Sequence, residues 1–209
     1  MVEVVGLLRI HLLQIHYAPA FFNQDVDYLE EPYFLPNTPL GHFTREPQIA
    51  SFLRESRDLY LAHCKAKFAS LLKWCGERGA HLVVFPEYSV PMEVLPVIRD
   101  AASHHGMTIV AASHRVKDST QSRVRYAESG GKREDFPLGY ACAPVFGGTD
   151  LLGVVKKMRK SKWEPDLLIE NAEPSVLSLL HEGINLRFAV LLCIDTLCPE
   201  VLGSLWGNR

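Results

Sequence analysis

The sequence has no apolar run long enough to cross a bilayer core, for which roughly 20 consecutive apolar residues are needed. It has no excess of charge of either sign: Lys and Arg number 22 against 24 Asp and Glu, a formal net charge of -2. That balance supplies no global field toward nucleic acid or an anionic membrane surface. Cysteine is scarce and odd in number: the 5 residues are Cys64, Cys75, Cys142, Cys193 and Cys198. Their irregular spacing makes a poor disulfide framework and suits a reducing compartment. No His/Cys spacing resembles a zinc site, and there is neither a G-x-S-x-G elbow nor a P-loop. The opening residues Met1–Gly6 carry Glu3 and no basic segment, unlike a secretory signal. These absences point to a cytoplasmic protein with no metal or organic cofactor and no nucleic-acid or membrane partner. The basic stretch Lys117–Arg133 does not alter this, because Tyr126 is its only aromatic residue on which a base could stack.

What is present is ordinary for a globular chain. Of 209 residues, 47% are hydrophobic and 22% charged, enough for one domain (residues 1–209) with a sizeable core. Leu7–His16 is an apolar run expected as the first strand. From about 17 to 48 the chain is rich in proline, which forbids a regular helix or central strand and reads as an inserted loop. Ala50–Glu77 has apolar residues on a helical period, with an end near Gly76 or Gly79. His81–Phe85 reads as a buried strand, Met92–His105 as a helix closed by Gly106, and Met107–Ser113 as a strand. Arg115–Asp135 reads as a hairpin or loop. Tyr140–Phe146 and Leu151–Lys156 are two strands around Gly147-Gly148. Ser175–Glu182 is expected as a short helix and Leu186–Leu192 as the last strand, with Asp195 as N-cap and Pro199 in the first turn of a helix. This order, crossovers followed by hairpins, predicts an α/β layered sandwich: a mixed sheet with helices on one face.

Three residues with chemistry stand just beyond predicted strands: Glu87 after HLVVF, Lys157 after GVVK and Cys193 after RFAVLL. Carboxyl ends of strands converge on one rim of an α/β sheet, where sites form. A thiol needs a base to become a nucleophile; a carboxylate can take its proton, and an ammonium can hold first the thiolate and then an oxyanion. Each residue also has a plainer reading. A lone strand-end cysteine is usually a small core residue. Glu87 could merely favour the start of the next helix. Lys157 lies in KKMRKSK, and a lysine run is usually a solvated face, so Lys156, Lys160 and Lys162 are rivals for its place.

At these residues the sequence resembles the nitrilase superfamily of carbon–nitrogen hydrolases. VVFPEYSVP at Val83–Pro91 is similar to its glutamate motif, LLGVVKK at Leu151–Lys157 to its lysine motif, and RFAVLLCIDTLCPE at Arg187–Glu200 to its nucleophile motif. The order of the three matches, and the first strand with Gln14 resembles the opening strand of the family. The resemblance implies an α-β-β-α sandwich with mixed sheets. It implies an amidase-like enzyme acting on a small amide or nitrile, with Glu87 as general base, Cys193 as nucleophile forming a thioester, and Lys157 with the backbone N–H of Ile194 holding the oxyanion. A second glutamate beyond the lysine is implied too, with Glu164 as first candidate and Glu170 in reserve.

The sequence departs from the family in three ways. Tyr140-Ala141 stands where many members carry an asparagine, and the proline-rich insertion is long. Sixteen residues follow Cys193, fewer than the family's further strands and helix require. The expectation is therefore a C-terminally incomplete domain: a piece of a larger parent protein, a homodimer that covers the open face, or a truncated product. On that expectation the chain alone is inactive. The competing expectation is a catalytically silent or partner-dependent binding or regulatory fragment.

Overall fold

The structure, a computed structural model, describes residues 8–13, 47–87, 89–111, 114–116, 123, 126–127, 129–148, 150–160, 169–181 and 184–207. Among them the chain forms a six-stranded mixed sheet, a two-stranded antiparallel sheet and three α-helices. Helix α1 spans Pro47–Glu77, beginning three residues before the expected Ala50, with proline at the first position, where its missing N–H matters least. Leu61, Cys64, Phe68, Leu72 and Cys75 recur along its buried stripe. It ends at Gly79, whose φ of 67 lets Ala80 N–H return to the Cys75 carbonyl at 3.1 Å. Gly76 lies inside the helix, where a Cβ would collide with the His105 ring. Helix α2, Leu95–His105, follows a 3₁₀ turn at Met92–Val94 and ends at Gly106, φ 64, as expected.

Strands β1 (Ile10–Leu12), β2 (Leu82–Val84) and β3 (Thr108–Val110) pair in parallel. Strand β4 (His114–Arg115) and β3 share one edge of β5 (Ala141–Gly147), both antiparallel to it. Strand β6 (Asp150–Lys156) takes the other edge through a hairpin whose turn uses Gly148 at φ 58. Alternation along β5 divides the core. Cys142 and Phe146 join Val83, Ile109 and Ala111 against α1 and α2, while Ala143 and Val145 face the other way with Leu82, Val110 and Val155.

The second face is covered by a hairpin of β7 (Val176–His181) and β8 (Ile184–Ala189), which sends Leu177, Phe188 and Val190 into the smaller cluster. Packing is close: a Cβ on Gly153 of β6 would meet the Leu177 side chain at 2.7 Å. Helices, large sheet and hairpin thus stack in layers, with the mixed α/β architecture and helices on one face as read from the sequence. Two elements are corrected. The expected helix at Ser175–Glu182 is strand β7, paired residue for residue with β8 from Val176↔Ala189 to His181↔Ile184. A short run such as VLSLL fits either period, and the neighbouring strand decides. The last strand also lies earlier than expected, Ile184–Ala189, so Val190–Leu192 leave the sheet before Cys193. The expected hairpin or loop at Arg115–Asp135 is corrected too: its described parts include the end of β4, helical Arg123, Tyr126 and Ala127, with Tyr126 buried and stacked on Phe136, and a 3₁₀ turn at Arg133–Asp135. No helix among the described residues is long and apolar enough to cross a membrane.

Candidate functional site

Strands β2 and β6 run in the same direction, because each reversal at β5 and β6 cancels the other. Their carboxyl ends therefore open on one rim. They are separated by β3 and β5, three strand spacings or roughly 14 Å. Only long side chains, helped by a loop, can meet across that distance.

Both devices are present. After β2 the chain passes Phe85, whose N–H donates to the Val110 carbonyl at 3.0 Å, and turns at Pro86. The Ser89 hydroxyl and N–H both return to the Pro86 carbonyl, at 2.7 and 3.3 Å, which locks the turn that carries Glu87. On the far side, Lys157 follows β6 directly. Its N–H donates to the Ala141 carbonyl at 2.9 Å and its carbonyl accepts from Asn171 N–H at 3.1 Å. With its backbone held on both sides, Lys157 extends Nζ to Glu87 Oε1 at 3.0 Å. The lysine side chain is 1% exposed and the glutamate 10%. An ammonium so buried is tolerable only beside an anion, and the contact is a charge-assisted hydrogen bond.

The rival lysines are placed differently. Lys156 points to the opposite face of β6, toward α1 and α2, with its ammonium 5.7 Å from the Tyr140 ring centre. Lys160 is exposed, and its N–H donates to Glu170 Oε1 at 2.9 Å. Glu170 thus lies against the backbone just beyond Lys157. Lys162, Glu164 and Gln14 lie outside the described residues.

Cys193 and Ile194 open a 3₁₀ turn, Cys193–Leu197, that follows Leu192. Helix α3, Pro199–Gly207, comes next, with Pro199 at its first position as expected. Asp195 is not the N-cap of that helix. It lies inside the preceding turn and is buried, and its carboxylate accepts from three backbone N–H groups: Arg159 on Oδ1 at 2.7 Å, Met158 on Oδ2 at 3.1 Å and Leu192 on Oδ2 at 3.3 Å. One carboxylate joins the residues just after Lys157 to the residue just before Cys193. Beside it, Arg159 Nε reaches Glu200 Oε1 at 3.4 Å. The sequence marks Asp195 by its Cys-x-Asp spacing, but partners 36 and 37 residues away leave no local signal.

The four other thiols are all held in their neutral form. Burial pushes Cys142 up to about 12, against the lowering pull of Lys156. Burial also raises Cys64 and Cys75, opposed by Tyr60 and Lys67 at the first and Arg78 at the second. Cys198 is raised by desolvation and by the nearby Glu200 and Asp195 carboxylates, and only Arg159 opposes them.

No protein-family model matches the chain, and no curated protein does. Solved structures do. Saccharomyces cerevisiae Nit3, a member of branch 10 of the nitrilase superfamily, is similar at 15% identity over 69% of this chain and 55% of that one, with a TM-score of 0.49. An amidase of that superfamily from Nesterenkonia matches at 16% identity, 70% and 55% coverage and a TM-score of 0.47. A glutamine-dependent NAD+ synthetase from Acinetobacter baumannii matches at 18% identity over 69% of this chain and 27% of its own, with a TM-score of 0.43. The chain therefore spans about half the length of the first two.

Proposed function

We propose that this chain carries the chemistry of a thiol-dependent hydrolase of non-peptide carbon–nitrogen bonds, amidase-like, with Cys193 as nucleophile. The observation that supports it most is the buried Lys157–Glu87 pair at 3.0 Å, tied through Asp195 to the turn that begins with Cys193. Glu87 is the base that takes the thiol proton. Cys193 then attacks the carbonyl carbon of a small amide. The ammonium of Lys157, already desolvated and aimed, neutralises charge that develops on the substrate oxygen, and the Ile194 N–H is the second donor. Glu87 returns its proton to the departing amine, which leaves a thioester on Cys193. Water, deprotonated by Glu87, attacks the thioester, and the acid and the free thiol are released. Glu164 is the candidate for a second acid–base glutamate. No step calls for a metal or an organic cofactor.

The substrate is a small linear or cyclic amide, with nitriles and carbamoyl compounds as the next classes to try. The test is a screen of the full chain against such a panel beside Cys193→Ala. The expected result is ammonia or amine release by the unaltered chain assayed within its full parent protein and none by the variant, with a thioester adduct on the Cys193 peptide trapped by acid quench; release by the chain on its own would contradict the expectation that it is inactive alone. Equal release by both would remove Cys193 from the mechanism.

A further inference from the structure

We propose that Asp195 is a positioning residue that sets the strand end bearing Lys157 and the turn bearing Cys193 as a single unit. The inference rests on the function proposed above and deepens its account of that site. Its basis is geometric. A carboxylate can accept several N–H groups at once, and here one oxygen serves Arg159 while the other is shared by Met158 and Leu192. All three donors are main-chain groups, so the bonds fix backbone rather than side-chain rotamers. Met158 and Leu192 are buried, as is Asp195 itself, and bonds to an ion sheltered from water are stronger than those between neutral groups.

Each donor is next to, or one residue removed from, a proposed reactive residue. Met158 follows Lys157, and Leu192 precedes Cys193. The backbone of Lys157 is already held by Ala141 and Asn171, but both of those ties lie on the side of the large sheet and its loops. Asp195 supplies a tie from that strand end to the segment leaving β8 in the other sheet. It is the kind of contact that keeps two groups on different sheets at fixed separation. A misplacement of about 1 Å between reacting groups can slow a reaction roughly 100-fold.

Asp195→Asn tests this with opposed signs. The variant keeps one oxygen acceptor but turns an NH2 group toward an N–H, so at least one tie is lost. It also removes a negative charge from a turn whose end, at Cys198, has Glu200 and Glu170 as neighbouring anions and Arg159 as neighbouring cation. Loss of an anion, by itself, lowers the pH at which the Cys193 thiol ionises. Loss of register with Lys157 raises it. The expected result is an upward shift in the midpoint of Cys193 alkylation against pH, by roughly one unit or tenfold less thiolate at fixed pH. A fall of about 100-fold in kcat with little change in KM should accompany it. A downward shift, or none, overturns the proposal and leaves Asp195 as a fold residue.

Lys157→Met is the companion. It must itself raise the Cys193 midpoint; if it does not, the proposed function fails at its root and takes this inference with it, an outcome separate from failure of Asp195→Asn alone. Should Asp195→Asn not fold, native-state hydrogen exchange on the unaltered chain decides. The Met158, Arg159 and Leu192 amides should then exchange together through one opening. Exchange of Leu192 at the rate of a free amide while the other two stay protected would overturn the proposal.

Discussion

The helix-covered face of the large sheet and the rim beyond β2 and β6 bury opposite kinds of residue. The face packs Phe68, Phe146, Ile109 and Val83 against α1 and α2, and its thiols, Cys64, Cys75 and Cys142, are all shifted toward the neutral form. The rim buries an ammonium and a carboxylate on each other, with a second carboxylate holding three backbone N–H groups. Lys156 and Lys157 show how small a step in sequence separates the two regions. Strand alternation turns the first toward Tyr140 and Cys142 on the helix side and the second toward Glu87. Burial alone pushes a thiol toward its neutral form, whereas burial beside a matched partner holds Lys157 and Glu87 as an ion pair.

Substitution at the two adjacent lysines probes the contrast most strongly. Lys157→Met should lower kcat/KM by about 100- to 1000-fold or more, the range for loss of an oxyanion donor. Lys156→Met should leave turnover within a factor of about 3, since it removes at most a weak cation–π contact worth roughly 0.5–1 kcal/mol. Steady-state kinetics on both variants checks this, and the reverse ranking would shift the catalytic register by one residue. Glu87→Gln should come next, with a fall in acyl-enzyme formation of about 100- to 10000-fold, because the base is gone and the amine leaves without its proton. Rapid-quench mass spectrometry would follow the thioester, and near-normal formation would break the link between Glu87 and the chemistry.

The helix side should answer in stability instead. Phe146→Ala empties a fully buried site and should destabilise the fold by about 3–5 kcal/mol, read as a lower denaturation midpoint, with no special effect on the thiol at Cys193. A smaller loss of stability is expected on the hairpin side. Gly153→Ala brings a Cβ against the Leu177 side chain at 2.7 Å, but that side chain ends in a flexible methyl, so a loss of about 1 kcal/mol suffices to repack it. A larger loss would mean that β6 and β7 have no room to separate.

Much of this contrast was legible in the residues themselves. The apolar runs HLVVF and GVVK stop just before Glu87 and Lys157, close to the ends of β2 and β6, whereas RFAVLL runs past the end of β8, with three residues between the sheet and the turn that Cys193 opens. The choice between Lys156 and Lys157 was not settled by the lysine run; it depends on which parity of β6 faces Glu87, and the pairing with β5 fixes that. Helix ends at Gly79 and Gly106 were readable because a left-handed residue favours glycine. Strand β7 was misread because VLSLL carries no period long enough to exclude a helix, and only pairing with β8 distinguishes them. Asp195 was misread as a helix N-cap and was not legible as a tie between sheets, since hydrogen bonds to Met158 and Arg159 arise from tertiary closure. Glu164, the candidate second glutamate, lies outside the described residues.

The central claim is that one thiol of the five differs from the rest because of where its turn is held. Limited alkylation of the native chain with iodoacetamide near neutral pH, followed by peptide mapping over time, tests it directly. The account predicts that Cys193 labels first and well ahead of Cys64, Cys75, Cys142 and Cys198, all of which are raised above the ordinary thiol value, and that Lys157→Met removes its lead. Labelling of Cys198 or a helix-side cysteine as fast as Cys193 in the native chain would contradict it.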